Sequence, residues 1–414
     1  MECRDIINTL AACLQVSGAD PGLAQFIQIL LGVVIVTLAP LLVVILLIWV
    51  ERKFAARVQD RIGPNRVGPY GLLQTVADAL KLITKEDITP AGADRLIYNL
   101  APIISVVSVI MIWAVIHFSP VHIGVDLSIG ALYFVAVGSI GTLAIMMAGW
   151  SSNNKYALLG AFRVVAQLVS YEVPMVFALL VPVLIAGSMS MQGIVEAQRG
   201  MWFFVLSPVA ALIFFISTQA ETGRAPFDLI EAESELVAGF NIEYSGMKFG
   251  LFFAGEFVHV FTNALLMAAL FFGGWVGPFV DQVPALGFLY IALKAFIFYL
   301  FSLLLRNTLP RVRIDQLMAF NWKFLVPVSI INVIVVAFLL QVVGALGLAP
   351  APELANDFVA NLPQAGLLLL GSLAIAAVLL QQLRNFGRQE RLTQQAVTVR
   401  KEDDVDMLPA QAAH

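Results

Sequence analysis

The run AQFIQILLGVVIVTLAPLLVVILLIWV, residues 24–50, contains no Asp, Glu, Lys or Arg. A helix needs about 20 apolar residues to cross about 30 Å of hydrocarbon, and this run is longer than that. A helix at the surface of a soluble protein would show a polar face, which this run lacks. The run therefore predicts a transmembrane helix and sets the class of fold for the rest of the chain.

Eight further apolar segments repeat this pattern. They cover residues 98–118, 129–150, 157–187, 201–219, 249–275, 285–306, 324–346 and 364–383. The 414-residue chain is 60% hydrophobic and 13% charged, with a mean hydropathy of +0.88. We predict an all-α integral membrane protein with about nine transmembrane helices. Residues 1–383 would form a single polytopic membrane domain, and residues 384–414 a largely disordered cytoplasmic tail.

The basic residues predict the orientation of the helices. If the N-terminus lies outside, twenty of the 24 Lys and Arg fall in the inner segments or at Arg306 on their boundary. Only Arg4 and Arg199 fall outside, so the positive-inside rule favours this topology. The LAAC stretch at residues 10–13 follows neither a cationic start nor an adequate apolar core, and we expect an uncleaved N-terminus.

The composition argues against several functions. A net charge of −4 provides no clustered basic face, so no nucleic-acid partner is expected. Cys3 and Cys13 form no C-x-x-C motif, and the four histidines form no ligand pair, so we expect neither an iron–sulfur cluster nor a metal site. Glu256 and His259 form a single E-x-x-H pair, and a carboxylate in a polar path is favoured over half of a di-iron site.

The inner segment 51–97 is too long for a simple connector. Its stretch LLQTVADALKLI, residues 72–83, places apolar residues at helical spacing, interrupted by Gln74, Asp78 and Lys81. This pattern predicts an amphipathic helix in the membrane interface or beneath a partner, with an ordinary surface helix as the alternative.

Two ionisable residues are predicted at membrane depth, where charge is costly and usually functional. Glu172 lies roughly 22 Å along its helix from the inner end. The alternative to a functional role is a structural pair with Arg163 or with a neighbouring helix. Lys294 lies near the middle of its span, so it would lose its charge or require a carboxylate partner. A structural ion pair is the alternative for this lysine.

The stretch AETGRAPFDLIEAESELVAGFNIEYSG, residues 220–246, concentrates acidic residues in a chain that has few. Its six carboxylates are Glu221, Asp228, Glu231, Glu233, Glu235 and Glu243. In a helix, Asp228, Glu231 and Glu235 would share one face, raise one another's pKa and titrate as a coupled group. The alternative is a solvated loop, but the apolar residues between the acids favour burial.

Four long motifs, in matching order, resemble the family of quinone-site membrane subunits of respiratory complex I, the NADH-quinone oxidoreductase. They are ERKFAARVQDRIGPNRVGPYGLLQTVADALKLITKED (51–87), YALLGAFRVVAQLVSYEVPM (156–175), AETGRAPFDLIEAESELVAGFNIEYSGMKF (220–249) and LLRNTLPRVRIDQLMAFNWK (304–323). The resemblance covers about residues 24–346. It implies an eight-helix family core with a C-terminal extra span.

This resemblance implies a place in a larger assembly. The chain would lie at the heel of the membrane arm of a bacterial plasma membrane complex, under the peripheral arm and beside antiporter-like subunits. Quinone would be the substrate, whereas FMN, iron–sulfur clusters and NADH would be bound by other subunits and no cofactor by this chain alone. The N-terminus would be periplasmic and the C-terminus cytoplasmic.

The resemblance also implies roles for individual residues. Positions near the quinone chamber and its entrance would be Arg52, Arg61, Asp78, Arg224 and Phe227. A proton path toward the central polar axis would use Glu172, Glu221, Glu231, Glu233, Glu235, Glu243 and Glu256, and Lys294 also matches the family pattern. Ile230 stands where bacterial relatives often have proline, which affects the turn geometry of the loop but removes no charge.

Three other interpretations remain open on the sequence. A related membrane subunit of a hydrogenase-type complex would share this architecture without binding quinone. A stand-alone cation–proton antiporter would use Glu172, Glu256 and Lys294 as its ion path, although no internal repeat of the transporter kind is visible. A passive anchor for the peripheral arm would tolerate neutralisation of the intramembrane acids.

Overall fold

The computed structural model describes residues 20–120, 125–228, 238–348 and 358–406, with side chains as far as Gln382 and at Arg384. Three carboxylates of the predicted acidic series, Glu231, Glu233 and Glu235, lie outside the described residues, as do Cys3 and Cys13.

The described residues form helices and connecting turns, without a β-strand among them. The helices are α1 Pro21–Val58, α2 Gln74–Thr84, α3 Arg95–Trp113, α4 Gly130–Ser151, α5 Lys155–Ala186, α6 Met191–Glu196, α7 Phe203–Leu206, α8 Pro208–Glu221, α9 Gly246–Phe271, α10 Ala285–Thr308, α11 Ile314–Phe320, α12 Val326–Ala345 and α13 Phe358–Asp406. A π-helical turn, Asn321–Leu325, joins α11 to α12. Within the described ranges, eight helices are long and apolar enough to cross a membrane. The predicted class, an all-α multi-pass membrane protein, is confirmed.

The predicted span 201–219 is not one continuous helix. It consists of α7 and α8, which are separated at Ser207, where φ is −143° and ψ is 75°. Proline has no backbone N–H and disfavours helical geometry in the residue before it, so Pro208 accounts for the break. The 14 residues of α8 span only about 21 Å, which is less than a hydrocarbon layer.

The predicted amphipathic segment 72–83 is found as α2. Its helix begins at Gln74, after a 3₁₀ turn, Pro69–Gly71, in which Tyr70 has a positive φ of 53°. Leu80 and Ile83 of α2 are exposed. An interfacial helix requires such an apolar face on its outer side.

The last helix extends beyond the predicted span. Its apolar part ends at Gln382, and the helix continues through residue 384, where the tail was predicted to begin, as far as Asp406. The division of the chain at residue 383 remains a prediction.

Helix α9 forms the centre of the bundle and packs against α3, α10, α1 and α8. Most of its side chains from Phe257 to Phe271 are buried. Many large apolar side chains elsewhere remain exposed, particularly along α1, α10 and α12. An exposed surface this apolar fits contact with lipid tails.

Two of the prolines inside the spans, Pro102 and Pro174, free backbone carbonyls that distant side chains then satisfy. In α3, Pro102 cannot donate to the carbonyl of Tyr98, and the Tyr244 hydroxyl donates to that carbonyl at 3.2 Å. In α5, Pro174 likewise frees the carbonyl of Ser170, which accepts from Asn321 Nδ2 at 2.6 Å. Side chains from the loop before α9 and from the π-helical turn therefore complete the hydrogen bonding of two kinked helices.

We predict that Gly149→Ala destabilises the contact between α4 and α5. A Cβ at Gly149 would lie 2.3 Å from the Cβ of Ala161 and 2.9 Å from the carbonyl oxygen of Ala157, neither of which can rotate away. Overpacking of this kind costs about 1–3 kcal/mol, which a thermal-melting experiment on detergent-solubilised protein would detect.

The control for this substitution is Gly32→Ala in α1. A Cβ at Gly32 meets no atom within 4 Å, so the midpoint of melting should stay unchanged or rise slightly. Equal melting midpoints for the two variants would contradict the proposed close contact.

Candidate functional site

A cavity of about 280 Å³ lies between α3, α4, α9 and the segment 238–245 that precedes α9. Apolar side chains form much of its wall. The polar side chains that line it are Ser105, Ser108, Thr142, Glu221, Thr222, Asn241, Tyr244, Glu256 and His259. The cavity has room for several waters. Two of the predicted proton-path residues, Glu221 and Glu256, both line it.

Glu221 is the last residue of α8 and lies at one end of this space. Asn263 Nδ2 donates to Glu221 at 3.2 Å, and His259 Nε2 lies 3.7 Å from the same carboxylate. Both partners come from α9, one helical turn apart, so the spacing of a single helix supplies them.

Glu172 in α5 interacts with Glu221 but is not among the residues that line the cavity. Its carboxylate interacts electrostatically with Glu221 and accepts a hydrogen bond from the Ser139 hydroxyl of α4. Ser139 and Glu221 therefore link the Glu172 carboxylate to α4 and to the end of α8. Arg163 is about 13 Å away along the axis of the same helix, too far for the direct pairing that the sequence left open.

The other end of the cavity is bounded by a cluster of buried charges. The Arg224 side chain is only 1% exposed; it donates to Glu51 at 2.6 Å, and its Nε lies 3.6 Å from Glu256. Glu51 also accepts from Arg306 and from the Tyr299 hydroxyl. A buried guanidinium is tolerated only when it is paired, and Glu51 supplies the short contact.

Together these contacts form a connected set of ionisable side chains. Glu51 contacts Arg224, Arg224 contacts Glu256, and Glu256 shares the cavity with Glu221. Beyond Glu221, His259 and Glu172 continue the set. Carboxylates and an imidazole around a polar space can accept and release protons in turn.

Glu243 lies in the cavity wall rather than inside it. Asn154 Nδ2 donates to its carboxylate, and the Tyr98 hydroxyl donates to its backbone carbonyl, both at 2.7 Å. The rings of Tyr98 and Tyr244 stack with centroids 4.2 Å apart. Burial raises the pKa of Tyr244 to about 12, so its hydroxyl remains a hydrogen-bond donor at neutral pH.

The remaining predicted chamber residues lie in the predicted inner segments 51–97 and 220–248. The side of the bundle that carries these segments is called the arginine-rich side. Arg52 pairs with Asp78 at 2.5 Å, which joins α1 to α2. Arg61 is exposed and donates to Gln59, whereas the Phe227 ring packs against Tyr171 with centroids 5.6 Å apart. Of the five predicted chamber residues, the structure brings Arg224 into contact with the acidic series.

Lys294 lies away from that series. Its ammonium group donates to the backbone carbonyls of Gly274 and Val276, both at 2.9 Å, and lies over the Trp202 ring. These groups follow the far end of α9, roughly 20 Å along the helix from Glu256. Lys294 therefore has carbonyl partners rather than a carboxylate partner, which was one of the two alternatives that the sequence left open.

Sequence reasoning missed five residues of the site: Glu51, Ser139, Asn263, Tyr299 and Arg306. Glu51 begins the first of the four family motifs and is the first charged residue after Asp20, which was a visible signal. Its partners Arg224 and Arg306 lie 173 and 255 positions away, so only the fold brings them together. Among the residues that the structure describes, there is no group of three or more potential metal ligands.

Paired charges beside an internal cavity, within a bundle of helices that are long and apolar enough to cross a membrane, define a multi-pass membrane protein with ionisable side chains in its interior. A family model described as NADH dehydrogenase matches residues 31–337, and the chain belongs to that family. The family predicted from the four motifs is thus confirmed.

Several curated relatives are named as the H subunit of NADH-quinone oxidoreductase. One from Dehalococcoides mccartyi (strain CBDB1) is 48% identical over 316 residues, which cover 76% of this chain and 86% of the relative. Another, from Geobacter sulfurreducens, carries the same name with the number 2; it is 45% identical over 346 residues, covering 81% of this chain and 100% of the relative. A third, from Brevibacillus brevis, is 47% identical over 292 residues, covering 70% and 86%.

We predict that Arg224→Gln is far more destabilising than Arg52→Gln. The first change removes the buried cation that Glu51 and Glu256 share, and breaking a buried pair costs about 3–5 kcal/mol. The Arg52 side chain is 41% exposed, and an exposed pair contributes about 0–1 kcal/mol. Thermal unfolding of the two variants in the same detergent measures the difference, and comparable losses would contradict the charge cluster.

Proposed function

We propose that the chain is a membrane subunit of a proton-translocating NADH:quinone oxidoreductase. In this role it forms part of the quinone chamber and transmits the effect of quinone reduction through its carboxylates. The observation that carries the proposal is the connected set that runs from Arg224 and Glu256 across the cavity to Glu221 and Glu172. The names of the relatives support the same assembly.

The arginine-rich side of the bundle is the proposed location of the quinone headgroup. Arg52, Arg61, Asp78, Arg224 and Phe227 would contribute to the chamber and its entrance, together with a peripheral subunit. Arg224 has a distinctive position, because its guanidinium lies between Glu51 and Glu256 and 4.7 Å above the Phe257 ring. It would thus separate the chamber from the cavity.

The coupling that we propose is electrostatic. Reduction of the quinone to the quinol takes up two electrons and two protons, and the negative charge that precedes protonation develops in a region of low dielectric. A negative charge near Arg224 offsets part of the positive potential that the guanidinium creates at Glu256. The ionised form of Glu256 is then stabilised less. Glu256, His259 and Glu221 would respond by redistributing protons across the cavity, and Glu172 would take part through its interaction with Glu221.

The other residues of the predicted path complete the proposal. Glu231, Glu233 and Glu235 would join the chamber to this set, and Glu243 would act from the cavity wall. Lys294, at the opposite end of the bundle, would take part through electrostatic interaction with charge that moves near the end of α8 or α9.

The proposed assembly supplies what this chain does not bind by itself. FMN, iron–sulfur clusters and NADH would belong to peripheral subunits, and antiporter-like membrane subunits would receive the change in protonation. The complex would reside in the plasma membrane of a bacterium, with the arginine-rich side of this chain toward the cytoplasm.

The first experiment identifies the complex. The C-terminus is tagged, membranes are solubilised in mild detergent, and the purified material is tested for flavin, iron–sulfur signals and NADH-dependent quinone reduction. All three should be present. Nickel and iron–sulfur signals without flavin would instead assign the chain to a hydrogenase-type complex, and a complex-free protein that exchanges cations would identify an antiporter.

The second experiment tests the carboxylates. Glu221→Gln keeps the size of the side chain but cannot accept a proton, so we expect the rate of NADH-driven proton translocation to fall by about ten-fold or more. Glu196→Gln is the matched control, because Glu196 is exposed on α6 and hydrogen-bonded to Gln192. Glu235→Gln and Glu243→Gln extend the series. Normal translocation by an assembled variant excludes that residue from the path.

A further inference from the structure

Helix α8 is supported differently at its two ends. At the Glu221 end, Gln167 of α5 donates to the carbonyl of Ala220 at 2.6 Å, and Ser302 of α10 donates to Gln219 at 2.7 Å. Near the other end, the break at Ser207 removes the continuous helical hydrogen bonding that would anchor a full-length span. A helix of about 21 Å that ends within the bundle therefore needs a neighbour to fix its position.

The neighbour at this broken end is α13, which packs against α7, α8 and α12. Its buried side chains, Ala365, Leu368, Ser372 and Ile375, recur at intervals of three and four residues and thus share one face. Helix α13 lies beyond residue 337, where the match to the family model ends. The packing of α13 against α7 and α8 is therefore an addition to the part of the chain that the family model matches.

A hydrogen bond joins α13 to the break itself. The Leu206 carbonyl precedes the first residue of α8 and has no place in its helical ladder. The Ser372 hydroxyl, in a residue only 1% exposed, donates to this carbonyl at 3.3 Å. An unpaired carbonyl in a membrane interior is strongly unfavourable, so the break and α13 depend on each other.

Gly371 sets the distance between α13 and its other neighbour. A Cβ at this position would lie 2.2 Å from Leu339 Cδ1 of α12. The absence of a side chain lets α13 approach α12 closely, which places the adjacent Ser372 within reach of α7. Gly366, on the same helix, would place a Cβ in open space.

We propose that α13 is a brace for the broken span and that Ser372 is a positioning residue for Glu221. The brace fixes the broken end of α8, and the α5, α9 and α10 contacts fix its other end. The carboxylate of Glu221 is thereby kept at its distance from His259, Asn263 and Glu172. The functional part of this inference rests on the proposed proton path, whereas the structural part does not.

The test uses the whole purified complex with Gly371→Leu and, as the matched control, Gly366→Leu. A leucine is chosen because Leu339 could rotate away from a single methyl group. We expect Gly371→Leu to shift α8 relative to α9 by about 1 Å or more in an electron cryo-microscopy map. We also expect the ratio of protons translocated to electrons transferred to fall by about two-fold or more, since small misplacements of reacting groups strongly reduce rates. Gly366→Leu should change neither quantity.

A milder pair of variants covers the case in which Gly371→Leu does not assemble. Ser372→Ala removes the hydroxyl and should lower the proton-to-electron ratio in an assembled complex, whereas Ser372→Thr retains a hydroxyl and should restore it. A merely structural defect would lower the yield of complex without changing this ratio.

The outcomes separate the brace from the proposed function. An unmoved α8 in Gly371→Leu, or an equal shift in Gly366→Leu, overturns the brace. A displaced α8 with an unchanged ratio overturns the positioning role of Ser372, provided that Glu221→Gln measured in parallel lowers translocation as expected. If Glu221→Gln is also without effect, the proposed proton path fails, and the position of α8 in the maps still decides the structural claim.

Discussion

The requirement that every backbone carbonyl inside a hydrocarbon layer find a donor governs this structure. Proline and helix breaks leave the carbonyls of Tyr98, Ser170 and Leu206 without helical partners, and in each case a side chain from a distant part of the chain supplies the donor. These donors are Tyr244, Asn321 and Ser372. Each of these three irregularities thus connects its span to another segment, and two of the three connections bind segments at the arginine-rich side.

Charge is the second constraint, and it is met by local pairing. Glu51, at the end of a long apolar helix, accepts from Arg306 of α10 and from Arg224 in the loop after α8, so one carboxylate pairs with two guanidinium groups. Glu256 remains the more distant partner of Arg224, at 3.6 Å. Glu51 therefore holds the guanidinium in place, whereas Glu256 is bound less closely to Arg224 and lines the cavity.

Much of the fold could be predicted from the sequence, because apolar runs of sufficient length are a strong signal in one dimension. The break in the predicted span 201–219 was also visible, at Pro208, but its consequence depends on packing against α13. The site was harder to predict. Glu172 was singled out by the cost of charge at membrane depth, and Glu221 by the acidic stretch and the family motifs. Glu51 and Asn263, in contrast, take part through contacts between segments far apart in the sequence. Lys294 shows the reverse, since backbone carbonyls, which have no sequence signal, are its partners.

The paired tyrosines at the cavity wall also have a mechanical consequence. Tyr98 donates to the carbonyl of Glu243, and Tyr244 donates to the carbonyl that Pro102 leaves free in α3. If the wall segment moved away from α3, both hydrogen bonds would break and the carbonyl of Tyr98 would lose its side-chain donor. The wall segment and α3 are therefore expected to move together. Gly239 and Gly246, which have positive φ angles, lie at either end of the segment and are the positions where the backbone can change direction.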